Sequence, residues 1–228
     1  MQKIPSSLSY KDAAVLPLAL STAANSLYNK KTLGLPYPSL TPPSAPSSQS
    51  VLIWGGSSSV GATAVQLAAA SGVKVVAVCS AKNIDSVKAL GAHVVLDYNS
   101  ESAAQDIIAA LKGTEYLGVA DCISTKASAE GWTPVFKELG GRYAAVMPDA
   151  PGIPEGVEGT TLWAPTVAFS DREIGMKVWG AWVPQALESG LLKAVPPARV
   201  VGKGLESLQE AMDVQKAGVS FEKIVVEA

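Results

Sequence analysis

The segment Val51-Leu-Ile-Trp-Gly-Gly-Ser-Ser-Ser-Val-Gly61 limits what this chain can fold into more than any other. Residues 51–54 are apolar throughout, as in a strand buried on both faces. Val60, Ala64, Leu67 and Ala68 then recur at helical spacing. Between strand and helix lies a turn of Gly55, Gly56, Ser57, Ser58 and Ser59. Such a turn lets the backbone approach a pyrophosphate, whose charge sits at the positive end of the helix. Gly55 permits the sharp turn, and Gly61 permits close packing of the helix on the sheet. Glycines alone would fit a purely structural turn equally well. The order strand, turn, helix, strand is what a dinucleotide fingerprint requires, and residues 73–79 supply the second strand.

The alternation continues. Asn83 is placed to cap a short helix that stops before Gly91. Residues 93–96, 119–123 and 142–147 read as further buried strands, and 102–111 and 127–139 as helices. Buried strands alternating with helices predict an α/β fold, a Rossmann-type doubly wound parallel sheet. Ahead of it, residues 10–29 form a helical patch and 34–48 a loop rich in proline and serine. Behind it, 161–169 reads as a strand. Ser170 and Glu173 have capping-box spacing for a helix reaching about Ser189. Residues 204–217 read as a helix and 223–227 as a closing strand. Three blocks are expected: 1–50 with the first helix and loop, 51–170 as the cofactor-binding core, and 171–228 with helices and the closing strand.

The end of the second strand selects the cofactor. NAD sites place Asp or Glu there, about 20 residues beyond the glycine turn, to bond the ribose hydroxyls. This chain reads Cys79-Ser-Ala-Lys-Asn83. A hydroxyl, an ammonium and an amide suit a 2′-phosphate, so NADP(H) is the expected cofactor. Asp85 reads as a first-turn helix residue.

These residues carry a resemblance. Residues 51–61 and 73–83, with Leu90-Gly-Ala-His-Val-Val-Leu-Asp-Tyr98, resemble the medium-chain dehydrogenase/reductase superfamily. They are most similar to its zinc-independent fungal branch of trans-acting enoyl reductases and quinone-reductase-like proteins. Asp12-Ala-Ala-Val-Leu-Pro17, Ser21-Thr-Ala-Ala24 and residues 220–226 extend the likeness over nearly the whole chain. The resemblance implies that Gly55, Gly56, Ser57, Ser58, Ser59, Val60 and Gly61 hold the pyrophosphate. It implies that Ser80, Ala81, Lys82 and Asn83 face the 2′-phosphate and that Tyr98 lies beside the adenosine. It places Thr22 and Val146 on the nicotinamide side and Ile224 and Val225 in the closing strand. The wider superfamily has glycine where this chain has Ser58, and the fungal branch shares the serine. Family members carry further residues ahead of Met1, most of a substrate-side, GroES-like lobe, of which this chain is expected to hold remnants.

Other chemistries fit poorly. A net charge of −2 supplies no basic excess for nucleic acid. No apolar run approaches the ~18 residues of a membrane helix, and the start lacks a signal-peptide pattern, so a cytoplasmic location is expected. One histidine, His93, and two separated cysteines, Cys79 and Cys122, cannot assemble a zinc constellation. His93 at a strand start reads as structural, and the two thiols as buried and free. There is no Gly-x-Ser-x-Gly elbow for a hydrolase. The tryptophans read as packing residues, with Trp163 on a loop able to line an apolar substrate cleft.

The expected function is an NADPH-dependent oxidoreductase, enoyl- or quinone-reductase-like. It would pass hydride to an activated double bond or carbonyl of a small enone or a carrier-bound polyketide. The nicotinamide supplies the hydride, so no side-chain nucleophile is required and no catalytic residue is assigned. The alternative is a cofactor-binding remnant without redox activity, serving as a binding module or a non-redox enzyme. An open cleft shields the reacting centre poorly. Weak or absent turnover of the isolated chain is therefore expected, with self-association or a partner over the open face.

Overall fold

The computed structural model describes residues 4–228. Its centre is a six-stranded, wholly parallel sheet. The strands are β1 (Gln49–Trp54), β2 (Lys74–Cys79), β3 (Val94–Asp97), β4 (Glu115–Asp121), β5 (Arg142–Ala145) and β6 (Gly159–Thr161). Their order is β3-β2-β1-β4-β5-β6. The chain reverses direction across the sheet between β1 and β4, which is the Rossmann switch point.

Strand periodicity explains the two buried faces. Val51, Ile53, Val75, Ala77 and Cys79 face one apolar cluster, and Leu52, Trp54, Val76 and Val78 face the other. Helices α2 (Pro17–Tyr28), α3 (Ser59–Ala70) and α4 (Ile84–Lys88) cover the first face, as Leu27, Leu67 and Val87 show. Helices α5 (Ala103–Leu111) and α6 (Lys126–Leu139) cover the second through Ile107, Trp132 and Val135. Both faces are closed, so each central strand is apolar along its length, as the sequence predicts.

Four expectations need correction, and three of them trace to proline. The helical patch 10–29 is two helices, α1 (Tyr10–Ala13) and α2. Pro17 has no N–H to continue the first but is tolerated at the start of the second. The strand expected over 161–169 exists only at Thr161. Pro165 cannot donate to a ladder, and Ala164–Ala168 instead winds into a 3₁₀ helix. No capping box opens the following helix: Asp171 is its N-cap without a side-chain bond, and the Ser170 hydroxyl bonds the Asp171 carboxylate at 3.2 Å. That helix runs as α7 (Arg172–Gly175), a π-helical stretch Met176–Trp182, and α8 (Val183–Glu188). Pro184 lacks the N–H that α-helical spacing needs there, and the wider π turns lie directly before it.

The fourth correction is a strand the sequence reading leaves out. β7 (Ala198–Lys203) pairs in parallel with β8 (Lys223–Glu227), with the 3₁₀ turn Leu205–Ser207 and α9 (Leu208–Ala217) between them. The helix expected from 204 therefore begins as α9 only at Leu208. Trp182 Nε1 donates to Ser39 O at 3.0 Å and Trp179 Nε1 to Ser21 Oγ at 3.1 Å. The late helices thus pack on α2 and the proline-rich loop. Among the described residues, no helix is long and apolar enough to cross a membrane.

Candidate functional site

A cleft of about 1020 Å³ opens where β1, β2 and β4 end, at the switch point. Its floor is the turn after β1. The N–H groups of Gly55 and Gly56 both donate to Val78 O, at 3.1 and 2.8 Å, which staples the turn to β2. Gly55 has φ +78°, and a Cβ there would lie 2.6 Å from Ile123 Cδ1. A Cβ on Gly61 would collide with the Gly55 carbonyl oxygen. Both positions therefore require glycine, as the motif predicts.

Ser58 caps α3: its Oγ accepts from Gly61 N at 3.0 Å. The backbone N–H groups of Ser57, Ser59 and Val60 donate to no group among the described residues. They are the orphan donors of a helix start, gathered beside a turn too tight for a Cβ. Lys223, on β8, brings its Nζ within 3.4 Å of Ser59 Oγ and adds a positive charge. Unpaired donors, a helix N-terminus and an ammonium form a fitting cradle for a pyrophosphate.

The second wall follows β2. Ser80 precedes a 3₁₀ turn, Ala81–Asn83, in which Ala81 and Lys82 are exposed. Asn83 is buried and holds the N-cap position of α4, as the sequence reading expects, but its side chain makes no capping bond there. Its Nδ2 donates instead to Ser80 Oγ at 3.2 Å and to Ser220 Oγ at 3.1 Å. The amide is thus spent on fixing two cleft hydroxyls. Asp85 lies in the first turn of α4, as expected. Tyr98, half-exposed, lines the same cleft, with its N–H bonded to Cys79 O at 3.2 Å.

The third wall is the turn after β4, built on Asp121. This carboxylate is fully buried and accepts four hydrogen bonds. Oδ1 takes the N–H groups of Ile123 and Ser124 at 3.0 and 2.8 Å, and Oδ2 takes Ser128 Oγ–H and Trp132 Nε1–H at 2.7 and 3.1 Å. Ser124, at φ +57°, accepts from Val146 N at 2.8 Å and so ties β4 to the chain leaving β5. Asp121 thereby holds Ile123 over Gly55. Trp54 completes the floor against α6, where Gly131 leaves room for the indole.

The cleft brings together Gly55, Ser57, Ser58, Ser80, Lys82, Asn83 and Tyr98. Gly56 backs onto Val87 and Ala77, and Ser59, Val60 and Gly61 open α3. Thr22, Ala81, Val146, Ile224 and Val225 lie outside its lining. Thr22 bonds Leu18 O within α2, while Ile224 and Val225 pair with Arg199 and Val200. Sequence reasoning missed Asp121, Ser220 and Lys223 as site residues. No local pattern marks the last two, which meet the cleft only through folding.

The two thiols and the histidine are inert in character. Burial, with Asp97 nearby, pushes the Cys79 thiol up to about 11. Burial and Asp121 push Cys122 up as well. His93 accepts Val75 N–H on Nδ1 at 3.0 Å, and burial and Lys74 hold its pKa below the usual imidazole range. Among the described residues, no group of three or more His, Cys, Asp or Glu is placed to hold a metal.

Comparison with known proteins gives a consistent picture. The family described as Zinc-binding dehydrogenase matches residues 59–145. The chain is similar to a trans-enoyl reductase of Aspergillus japonicus, 40% identical over 227 residues, which cover 99% of this chain and 64% of that protein. It is also similar to a dehydrogenase of Monascus ruber, 38% identical over 251 residues, covering 98% of this chain and 67% of the relative. Among solved structures it resembles the CurK enoyl reductase, with a TM-score of 0.71 and 21% identity over 99% of this chain and 65% of that one. The chain thus spans about two thirds of the length of the curated relatives it matches.

Proposed function

This chain belongs to the medium-chain dehydrogenase/reductase superfamily, with the fungal trans-enoyl reductases and dehydrogenases, and from that membership we propose that it serves NADPH-dependent hydride transfer to an activated double bond or carbonyl. The carrying observation is the cleft at the switch point. It joins unpaired N–H donors at the start of α3 to a hydroxyl and an ammonium in the turn 80–83, which itself holds no carboxylate, while Glu101 and Glu130 line the cleft from other elements. When bound, the reduced nicotinamide supplies the hydride.

The chain's own residues bind and orient. Ser57, Ser59 and Val60 offer backbone N–H groups to the pyrophosphate, and Lys223 offsets its charge. Ser80 and Lys82 receive the 2′-phosphate, which favours NADPH over NADH. Ile123, held by Asp121, fixes the width of the cleft above Gly55. Trp163, 72% exposed just after β6, offers an apolar surface suited to an enone or a carrier-bound acyl chain.

The test pairs calorimetry with absorbance. Titration should give tighter binding for NADPH than for NADH. A small enone should cause loss of the reduced-nicotinamide absorbance with a full-length relative and only weakly, if at all, with this chain, whose cleft is open. Equal affinities would overturn the cofactor assignment. Cofactor binding with no enone-dependent oxidation, in this chain and in a full-length relative alike, would overturn the redox assignment.

A further inference from the structure

We propose that Ser220 is a further specificity-determining residue of this cleft, donating its hydroxyl to the 2′-phosphate of NADPH. The inference rests on the cofactor reading above and adds a donor from the far end of the chain. Ser220 lies in the segment between α9 and β8, 137 residues from Asn83, yet it lines the cleft that Ser80 and Lys82 line.

The argument is one of hydrogen-bond capacity. A carboxamide –NH₂ has two hydrogens, and a serine hydroxyl has one hydrogen and two acceptor sites. Asn83 Nδ2 gives one hydrogen to Ser80 Oγ and one to Ser220 Oγ, at 3.2 and 3.1 Å. Both serine oxygens therefore act as acceptors toward Asn83, and each keeps its own O–H for another acceptor. No acceptor for either hydroxyl hydrogen lies among the described residues. Asn83 is only 8% exposed, so the amide that sets both hydroxyls is itself held in place.

Ser220 is fixed from its other side too. Phe221 adopts φ +54° and packs against the apolar cluster that includes Val87 and Cys79. Glu222, the nearest carboxylate in sequence, is engaged by Arg199 at 3.2 Å, and the carboxylates that line the same cleft, Glu101 and Glu130, come from other elements. Two oriented hydroxyls and the Lys82 ammonium then converge on one anion. NADH, which has no 2′-phosphate, leaves the Ser220 hydroxyl to water.

The test measures dissociation constants of NADPH and NADH by calorimetry for the unaltered chain, Ser220→Ala and Ser220→Thr. Loss of one charge-assisted hydrogen bond should weaken NADPH about tenfold in Ser220→Ala. NADH binding should stay unchanged, and Ser220→Thr should restore most of the NADPH affinity. A Ser220→Ala variant that weakens both cofactors equally, or neither, while the unaltered chain still prefers NADPH, would overturn the role of Ser220 and leave the cofactor reading intact. Equal affinities in the unaltered chain would instead overturn the cofactor reading itself.

Discussion

Lys82 contributes the ammonium in the turn after β2, and its side chain is solvent-exposed. An exposed charge is partly screened, so Lys82→Ala should cut the NADPH preference by about 1 kcal/mol, toward the low end of charge-assisted contacts. Calorimetry with both cofactors checks this, and the NADH constant should not move. His93 gives a pH prediction. Its pKa is lowered in the fold, so its contribution is complete above the ordinary imidazole range and is lost as pH falls through it. Protonated Nδ1 could no longer accept Val75 N–H. Thermal melts should show a small loss of stability below about pH 6.5 that His93→Gln removes. The need for glycine at Gly55 and Gly61, and the place of Ser80 and Lys82 in the turn after β2, were legible from the sequence because each follows from immediate neighbours. Asn83 was legible as a residue of that turn but not in its bonding, since its partner Ser220 comes from the other end of the chain. Lys223 was hidden for the same reason: 164 residues separate it from Ser59.

Helix α3 and the turn after β4 carry the site between them. Ser58 spends its side chain on the first turn of α3, so Ser58→Ala should cost about 1 kcal/mol of stability and Ser58→Gly only a few tenths. Denaturant melts of the two variants separate the capping bond from the backbone requirement. Asp121 links β4, α6 and, through Ser124, the chain after β5. Asp121→Ala removes the acceptor of four donors, of which Ser124 N–H and Trp132 Nε1–H are buried, and should cost about 3 kcal/mol or more. A melting temperature unchanged by that substitution would contradict the wall described here. The central strands and α3, α5 and α6 were readable because burial on both faces and helical spacing are strong periodic signals. After β5 the closing strand β8 and most of α9 were readable in the same way, and the elements between β5 and α9 were not. Pro165 and Pro184 interrupt patterns that otherwise read as strand and helix, and β7 is a short, half-exposed segment behind two prolines.

The whole molecule places these parts by topology. The order β3-β2-β1-β4-β5-β6 puts the reversal, and hence the crevice, beside the Gly55 turn. The predicted doubly wound sheet and its position in the chain follow from the alternation of buried strands and helices. The pairing of β7 with β8, which carries Lys223 to the start of α3, has no counterpart in local sequence signals. The central claim is that this crevice holds NADPH through the α3 donors and the turn after β2. Its most direct test is a crystal structure of the chain with NADP⁺. The account predicts the pyrophosphate on the N–H groups of Ser57, Ser59 and Val60, and the 2′-phosphate beside Ser80, Lys82 and Ser220. A cofactor bound elsewhere, or an empty crevice at saturating NADP⁺, would contradict it.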